Sequence, residues 1–210
     1  MIFEGRDLAD FQSLSFDDHV KIALPLTEGR TELRDFTPLD FDSSRAQLTI
    51  DFALHENGPA SNWARRALPG SEVMILGPRG SMVLPKDFPW EVLAGDASAL
   101  PAITRRMRQL PDDVRVTVLA QIDHPSDERP LATRANAQVT WVRSTDEWLA
   151  LLRALTLPAG EGHIWCAGEA QTMKAARSIF LDHHKHPRSA LRVAAYWKHG
   201  APGFHEKLDS

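Results

Sequence analysis

Cysteine is almost absent from this sequence, and several kinds of site are excluded with it. The 210 residues contain one cysteine, Cys166. A single thiol cannot form an internal disulfide, and no CxxC pair or Cys/His spacing typical of a zinc site is present. We therefore expect a reducing, cytoplasmic compartment. Because Cys166 lies in an apolar run, we also expect its thiol to be buried and unreactive.

Long apolar runs and a large excess of positive charge are also missing. No stretch approaches the roughly 20 apolar residues that a membrane span requires. The first residues lack the basic-then-apolar order of a secretory signal. The net charge is −4, from 24 basic and 28 acidic side chains. Nucleic-acid binders usually carry a basic excess, so we expect neither a membrane nor a nucleic acid as a partner.

Several common catalytic and phosphate-binding motifs are missing as well. There is no GxGxxG fingerprint and no phosphate-binding loop of the usual type. No HExxH, GxSxG or paired-carboxylate pattern supports a hydrolase. The run His183-His184-Lys185-His186 could suggest a metal site. Cationic side chains just before a proline are more typical of a helix C-terminus, so we expect no resident metal and assign no catalytic acid or base.

The hydrophobic periodicity changes near Lys86–Phe88 and predicts two domains, residues 1–87 and 88–210. Before the change, alternating apolar residues predict strands at 19–24, 45–55, 72–76 and 81–84. One helix is predicted to begin near Gly58-Pro59 and to stop near Gly70. After the change, strand-like runs alternate with helices, at 90–94, 114–120, 139–142, 164–167 and 191–197. The pattern predicts a β-barrel followed by a parallel, Rossmann-like α/β sheet.

Three segments give this fold prediction a chemical meaning. They are Arg34-Asp35-Phe36-Thr37, the stretch from Gly95-Asp96 through Ser98 to Ile103, and Trp165-Cys166-Ala167-Gly168-Glu169. In this order and spacing they resemble a two-domain flavin reductase of the ferredoxin-reductase type. The resemblance is strongest to the siderophore-interacting protein family, whose members include FAD-dependent ferric-siderophore reductases. It extends from about Asp7 to Gly200.

The resemblance places the FAD site in the first domain. Arg34 matches the arginine of the family's Arg-x-Tyr-Thr/Ser motif and would pair with the flavin pyrophosphate. Phe36 stands where the family has tyrosine and would lie against the isoalloxazine ring. Thr37 would reach toward the flavin N5, while Leu39 stands where the family often has arginine. The alternative is an ordinary strand with a surface arginine.

A second part of the predicted FAD site is the junction before the first helix. A helix N-terminus offers unpaired N–H groups and a positive dipole end to a phosphate. By resemblance, the cofactor contacts here are Asp51, Leu54, His55, Gly58, Pro59, Ala60 and Ser61. The alternative is a capped helix with Trp63 in the core. His55 would either touch the flavin or hydrogen bond a buried carbonyl.

The second domain would bind the nicotinamide nucleotide and complete the site. The family motifs imply nucleotide contacts at Gly95, Asp96, Ser98, Ala99, Gly168, Glu169 and Arg177. Trp197 would cover the second face of the flavin, with core packing of the last strand as the alternative. Arg79 and Lys198 would offer positive charge to a ferric siderophore, which is bulky and often anionic.

Family members carry a longer segment before the part equivalent to Phe3–Phe11. The resemblance therefore predicts an FAD-binding barrel that lacks its first strand or strands. Such a barrel would expose an unpaired edge or would need a strand from a partner.

Together these features predict an FAD-dependent NAD(P)H oxidoreductase. It would pass electrons from NADPH or NADH through FAD to Fe(III) and thereby release iron from a siderophore. Two alternatives remain: a non-catalytic module that has lost FAD and binds a ferric chelate or a partner protein, and a general flavin or ferredoxin-type reductase with ferredoxin as a partner. The siderophore, the electron donor and the oligomeric state are left open.

Overall fold

The chain is described by a computed structural model over residues 1–25, 29–54, 58–84 and 88–201. It divides into two compact units, Met1–Pro85 and Lys86–Ser210. The predicted domain boundary near Lys86–Phe88 falls largely outside the described residues. Within the described ranges, no helix has both the length and the apolar character needed to cross a bilayer.

In its described residues, the first unit has two antiparallel sheets of three strands each. The first sheet has the order β1-β5-β4, in which β1 is Ile2–Glu4, β4 is Pro38–Asp42 and β5 is Gln47–Ile50. The second has the order β3-β2-β6, in which β2 is Val20–Pro25, β3 is Thr31–Phe36 and β6 is Met74–Leu76. The predicted β character of this unit is therefore confirmed.

One hydrophobic core joins the two sheets of the first unit. Residues of β2 and β5 supply its fully buried side chains, Val20, Ile22, Leu24, Leu48 and Ile50. These side chains alternate along each strand with more exposed ones, as expected where one face of a strand is buried. Burying each stabilises the unit by about 1.5–3 kcal/mol before the entropy cost is counted.

Three predictions for the first unit were wrong. Helix α1 spans Pro59–Arg66 and ends before Leu68, whose side chain is 73% exposed. Residues 81–84 form no strand, and Met82 and Val83 gain little burial that would favour one. Ser81 instead holds a loop, because its Oγ donates to Asp18 Oδ2 at 2.6 Å. Strand β5 is also shorter than the predicted 45–55.

The second unit is the predicted parallel α/β sheet. Its strands are β7 (Trp90–Gly95), β8 (Arg115–Gln121), β9 (Asn136–Val142), β10 (His163–Glu169) and β11 (Leu191–Trp197). The connecting helices are α2 (Leu100–Gln109), α3 (Thr145–Ala154) and α4 (Ala170–Ser178). All four strand pairs are parallel, in the order β11-β10-β7-β8-β9.

The strand order positions the site. Strands β7 and β10 are neighbours, although two other strands lie between them in the chain. From β7 the chain winds outward through β8 and β9, then returns to the other side of β7 with β10 and β11. Such a switch point opens a crevice at the carboxyl ends of the two central strands, where open α/β sheets bind ligands.

The histidine run acts in packing. A π-helical segment, Ile179–His183, follows α4, so the prediction that the run ends a helical stretch is confirmed. However, Nε2 of His183 and of His184 hydrogen bond carbonyls at the end of α3, Arg153 O at 3.1 Å and Leu152 O at 2.8 Å. They therefore cap the neighbouring helix. Among the described residues, no cluster of His, Cys, Asp or Glu could hold a metal ion.

Candidate functional site

The carboxyl ends of β7 and β10 approach each other closely because of glycine. A Cβ added at Gly95 would lie 2.2 Å from the carbonyl oxygen of Ala167 and 2.5 Å from the Cβ of Ala99. Any side chain at this position would force the two strands or the following helical turn apart. Ala99 is fully buried in that turn. Gly95 and Ala99 thus shape the crevice through their small size.

Asp96 lies at the centre of this edge of the sheet. Its Oδ1 accepts hydrogen bonds from the amide and the hydroxyl of Ser98, and its Oδ2 accepts one from the amide of Glu169 at 2.8 Å. The indole N–H of Trp197 donates to the same Oδ2, also at 2.8 Å. Burial raises the pKa of the Asp96 carboxyl, although all of these hydrogen bonds favour its charged form. The carboxylate is therefore engaged within the chain.

Glu169 closes the N-terminus of α4. Its Oε2 accepts hydrogen bonds from the amides of Gln171 at 2.6 Å and Thr172 at 3.0 Å, and its Oε1 accepts one from His199 N at 3.4 Å. Burial alone would raise the pKa of Glu169, but the hydrogen bonds from these amides outweigh it and lower the pKa. Glu169 thus occupies amides at a helix end that could otherwise bind a phosphate.

Of the other predicted residues of the second unit, Gly168, Trp197 and Lys198 lie at the same edge, whereas Arg177 lies two turns along α4. Gly168 has a φ of +155°, and a Cβ there would lie 2.5 Å from Asp96 Oδ2. Trp197 ends β11 with its side chain 42% exposed. Lys198 follows directly and is partly buried. Arg177 lies near the end of α4, also partly buried. The structure thus brings Gly95, Asp96, Ser98, Gly168, Glu169 and Trp197 together.

In the first unit, the N-terminus of α1 differs from that of α4. Gly58 is the N-cap residue, Pro59 occupies the first turn, and no side-chain cap or acidic residue is present there. Among the described residues, no heavy atom lies within 4 Å of a Cβ added at Gly58, apart from its chain neighbours. Ser61 is buried, and its Oγ donates to the carbonyl oxygen of Ala53 at 3.3 Å. Within the described ranges, no carboxylate caps this helix end.

Arg34 is held by its own strand. Its Nη2 is hydrogen bonded to Oε1 of Glu32, and its Nη1 donates to the carbonyl oxygen of Leu33 at 3.0 Å. Sequence reasoning did not single out Glu32. The signal was available, since residues two apart in a strand share a face. A ligand anion that binds the Arg34 guanidinium has to compete with the Glu32 carboxylate.

The remaining predicted cofactor residues have different surroundings. Phe36 packs against Phe52 with ring centroids 4.5 Å apart, at the margin of the core. Thr37 is buried between β3 and β4. Asp51 is partly buried, and Leu54 is 57% exposed. His55 lies outside the described residues. Trp63 packs against the core, as expected from its position in the helix.

Arg79 is exposed and belongs to the segment Gly77-Pro78-Arg79-Gly80 after β6.

In the second unit, Cys166 is fully buried in β10, and burial raises the pKa of its thiol far above the ordinary value. The predicted burial of this cysteine is therefore confirmed. Leu39, in β4, stands where a second arginine was expected by resemblance.

Comparison with known proteins identifies the family. The profile described as "Siderophore-interacting protein" matches residues 88–200, more than half of the chain, and that of the "Siderophore-interacting FAD-binding domain" matches residues 27–82. The chain belongs to the siderophore-interacting protein family. The resemblance seen in the sequence motifs is thereby confirmed.

Two curated relatives show how much of the chain the likeness covers. The NADPH-dependent ferric-chelate reductase of Escherichia coli is 31% identical over 94% of this chain and 85% of its own length. The ferric vibriobactin reductase of Vibrio cholerae is 26% identical over 97% of this chain and 85% of its own. Both alignments span the two units.

Solved structures support the fold. A siderophore utilization protein from T. fusca matches with a TM-score of 0.90 and 32% identity, over 97% of this chain and 88% of that one. A ferredoxin NADP+ reductase from Neisseria gonorrhoeae matches with a TM-score of 0.63 and 12% identity, over 93% and 91% of the two chains. At 12% identity, the match to the ferredoxin NADP+ reductase supports the fold alone. The predicted fold class, an FAD-binding β-domain followed by a Rossmann-like α/β domain, is therefore confirmed.

The residues of the first unit fit the anionic part of FAD. The N-terminus of α1 has a positive dipole end, no carboxylate in its first turn and, as far as the described residues show, open space at Gly58. Arg34 supplies a guanidinium that can bind a pyrophosphate in a bidentate manner. A phosphate is the kind of group that this donor set binds. The N-terminus of α4 in the second unit is not available to a phosphate in the same way, because the Glu169 carboxylate already accepts hydrogen bonds from two of its amides.

Proposed function

We propose that this protein is an FAD-dependent NAD(P)H oxidoreductase that reduces Fe(III) bound to a siderophore. The main support is that the FAD-binding and siderophore-interacting profiles match one chain in this order. The relatives named as ferric-chelate and ferric vibriobactin reductases align with nearly all of it. Reduction to Fe(II) weakens the hold of the hard oxygen ligands of a siderophore, so iron is released.

The chain binds and orients the reactants. Bound FAD would supply the redox chemistry that connects the two-electron donor, a reduced nicotinamide, with the one-electron acceptor Fe(III). No protein acid or base has to act on the iron. Arg34 and the N-terminus of α1 neutralise the cofactor's pyrophosphate. Phe36, Thr37 and the segment from Asp51 to Ser61 hold the flavin ring and its polar edge.

The second unit receives the electron donor. The proposed contacts of the nicotinamide nucleotide lie along the carboxyl edge of its sheet, with Arg177 on α4 for a phosphate. Trp197 covers one face of the flavin. Lys198 and Arg79 provide positive charge for an anionic ferric chelate. The nature of the siderophore, the choice between NADPH, NADH and ferredoxin, and the cytoplasmic location stay predictions.

The first experiment is the visible absorption spectrum of the purified protein after incubation with FAD and desalting. A retained flavin spectrum is expected. The loaded protein should then reduce a ferric chelate with NADPH, NADH or reduced ferredoxin compared as donors, while Fe(II) is followed with a chromogenic chelator. A protein that retains no flavin, yet shows quenched tryptophan fluorescence with a ferric siderophore, would instead be a binding module.

A further inference from the structure

We propose that Asp96 is a positioning residue whose carboxylate fixes the indole of Trp197. Its side chain orients this aromatic ring at the edge of the sheet where the nicotinamide nucleotide is proposed to bind. The link between Asp96 and Trp197 stands on the geometry of the second unit. Only its consequence for the flavin rests on the proposed function.

Four donors meet at this one carboxylate. The amide and hydroxyl of Ser98 donate to Oδ1, and the amide of Glu169 and the indole of Trp197 donate to Oδ2, both at 2.8 Å. A carboxylate has about four lone-pair sites, so its capacity is filled within the chain. Two of the donors are backbone amides, and a third is the small hydroxyl of Ser98. Trp197 is the one large side chain among them.

Trp197 stands at the partly exposed end of its strand. Its side chain is 42% exposed at the last position of β11. The pairing of β10 with β11 shifts there, since Gly168 pairs with Ala195 but Glu169 pairs with Trp197. A bulge of this kind turns a side chain away from the regular alternation of the strand. The bulge sets the direction of the indole, and the bond to Asp96 sets its position.

Gly168 makes the bond sterically feasible. A Cβ at this position would lie 2.5 Å from the same Oδ2 that accepts from the indole. The backbone there has a φ of +155°, which a residue with a side chain rarely adopts. The glycine, the bulge and the carboxylate thus form one arrangement around Trp197.

The role requires a carboxylate specifically. Asparagine has the same shape but presents an NH₂ group in place of one oxygen. With its NH₂ group toward Glu169 and Trp197, the amide would face two N–H donors. With the NH₂ group toward Ser98, it would face one N–H and a hydroxyl that can accept, and the indole would keep only a neutral amide oxygen, a weaker acceptor than a carboxylate. The Ser98 and Glu169 amides are fixed by the backbone, whereas the exposed indole can turn away. Asp96→Asn should therefore release Trp197 first.

The test uses ¹H–¹⁵N spectra of the full chain without cofactor. Trp197→Phe identifies the Trp197 indole resonance by its disappearance. In Asp96→Asn this resonance should shift upfield, and its exchange with water should accelerate at least about tenfold. The indole of Trp148 is the internal control, because it donates to the carbonyl oxygen of Leu119 at 2.9 Å and should not change. An unmoved Trp197 resonance would overturn the proposal.

Should Asp96→Asn fail to fold, the same bond is tested from its other end. Trp197→Phe leaves Asp96 in place but removes one donor. The ¹³C resonance of the Asp96 carboxyl should then shift relative to that of Asp42, an exposed carboxylate bonded to Ser44. An identical Asp96 resonance in both proteins would contradict the bond.

The consequence for the site is read from the fluorescence of bound FAD. An indole stacked on a flavin quenches its emission, so both Asp96→Asn and Trp197→Phe should brighten it. In the Trp197→Phe background, Asp96→Asn should add nothing, because it acts through the same ring. Additive brightening, or a displaced indole with unchanged emission, would refute the role at the flavin. If no variant binds FAD, the proposed function fails while the NMR result still decides the Asp96–Trp197 link.

Discussion

Arg34 and Glu32 are hydrogen bonded to each other on one face of β3. Both side chains are partly buried, at 19% and 27% exposure. Arg34 is the proposed ligand of the FAD pyrophosphate, so the cofactor and Glu32 compete for the same guanidinium. The chain thus carries an internal anion at the place where its cofactor's anion is expected.

Replacing Glu32 should therefore tighten FAD binding. Glu32→Gln removes the competing charge but keeps the length of the side chain. A partly exposed ion pair is worth up to about 1 kcal/mol, so the dissociation constant for FAD should fall by up to about fivefold. The quenching of flavin fluorescence in a titration measures it. The matched control is Asp35→Asn, which breaks the Lys21–Asp35 ion pair of the neighbouring strands. Weaker binding in Glu32→Gln would mean that Glu32 orients Arg34 for the cofactor.

Removing Arg34 should have the opposite effect. A charge-assisted hydrogen bond contributes about 1.5–3 kcal/mol, so Arg34→Ala should weaken FAD binding by roughly one to two orders of magnitude. Arg45→Ala is a suitable control, because Arg45 pairs with Asp42 on the surface of the same unit and is 72% exposed. Flavin affinity equal to that of the wild type in Arg34→Ala would contradict the assignment of this residue.

The buried ion pair of the second unit should govern its stability. Arg106 of α2 bonds through two nitrogens to both carboxylate oxygens of Glu91 in β7, and both side chains are nearly inaccessible. Arg106→Met leaves an unpaired buried charge and should lower the free energy of unfolding by about 3–5 kcal/mol. The double change Glu91→Leu with Arg106→Met should cost markedly less. Urea unfolding of the three proteins tests this, and equal losses in both variants would be inconsistent with an uncompensated charge.

The buried thiol of Cys166 predicts both its reactivity and a pH dependence. Because burial raises its pKa in the folded state, the thiol should resist iodoacetamide in native protein and react in denaturant. The unfolded chain releases this proton near pH 8.5, whereas the folded chain keeps it. The free energy of unfolding should therefore decrease as the pH rises above about 8.5. Cys166→Ala should lack this decrease, and rapid alkylation of native protein would disprove the burial.

Gly168 should be intolerant of a side chain for two separable reasons. Gly168→Ala places a side chain at a strained φ of +155° and in a clash with Asp96. Gly160→Ala places a side chain at a φ of +88° where no described atom lies within 4 Å, so it isolates the backbone strain, which costs about 1–3 kcal/mol. Thermal unfolding should show the larger loss for Gly168→Ala. Only that variant should move the indole resonance of Trp197. Equal behaviour of the two variants would argue against the steric contact.

Much of the fold followed from local patterns. The five strands of the second unit were predicted because their buried faces give continuous apolar runs that flank helical periods. The predictions failed where apolar residues have the spacing of a strand or helix but are exposed in the structure. Residues 81–84 have the composition of a strand, but Met82 and Val83 remain exposed and a hydroxyl of Ser81 holds the loop. Leu68 has helical spacing but lies beyond the end of α1.

The candidate site was predictable in its parts. The family resemblance follows from four short motifs, each a continuous stretch of the sequence, at Arg34, Gly58, Asp96 and Gly168. Their partners were harder to predict. Glu32 lies two residues from Arg34 and could have been found from the period of a strand. No sequence rule links Asp96 with Trp197, which lies 101 positions later.

By itself, the sequence determined the order of the two domains, the family and the residue types of a flavin-binding chain. These depend on local spacing and composition, which a single chain displays directly. The tertiary structure decided which distant groups are already engaged: the amide of Glu169 and the indole of Trp197 both donate to Asp96. Strand pairing at a switch point and a bulge bring together residues far apart in the chain. Such contacts exist only once the sheet has formed.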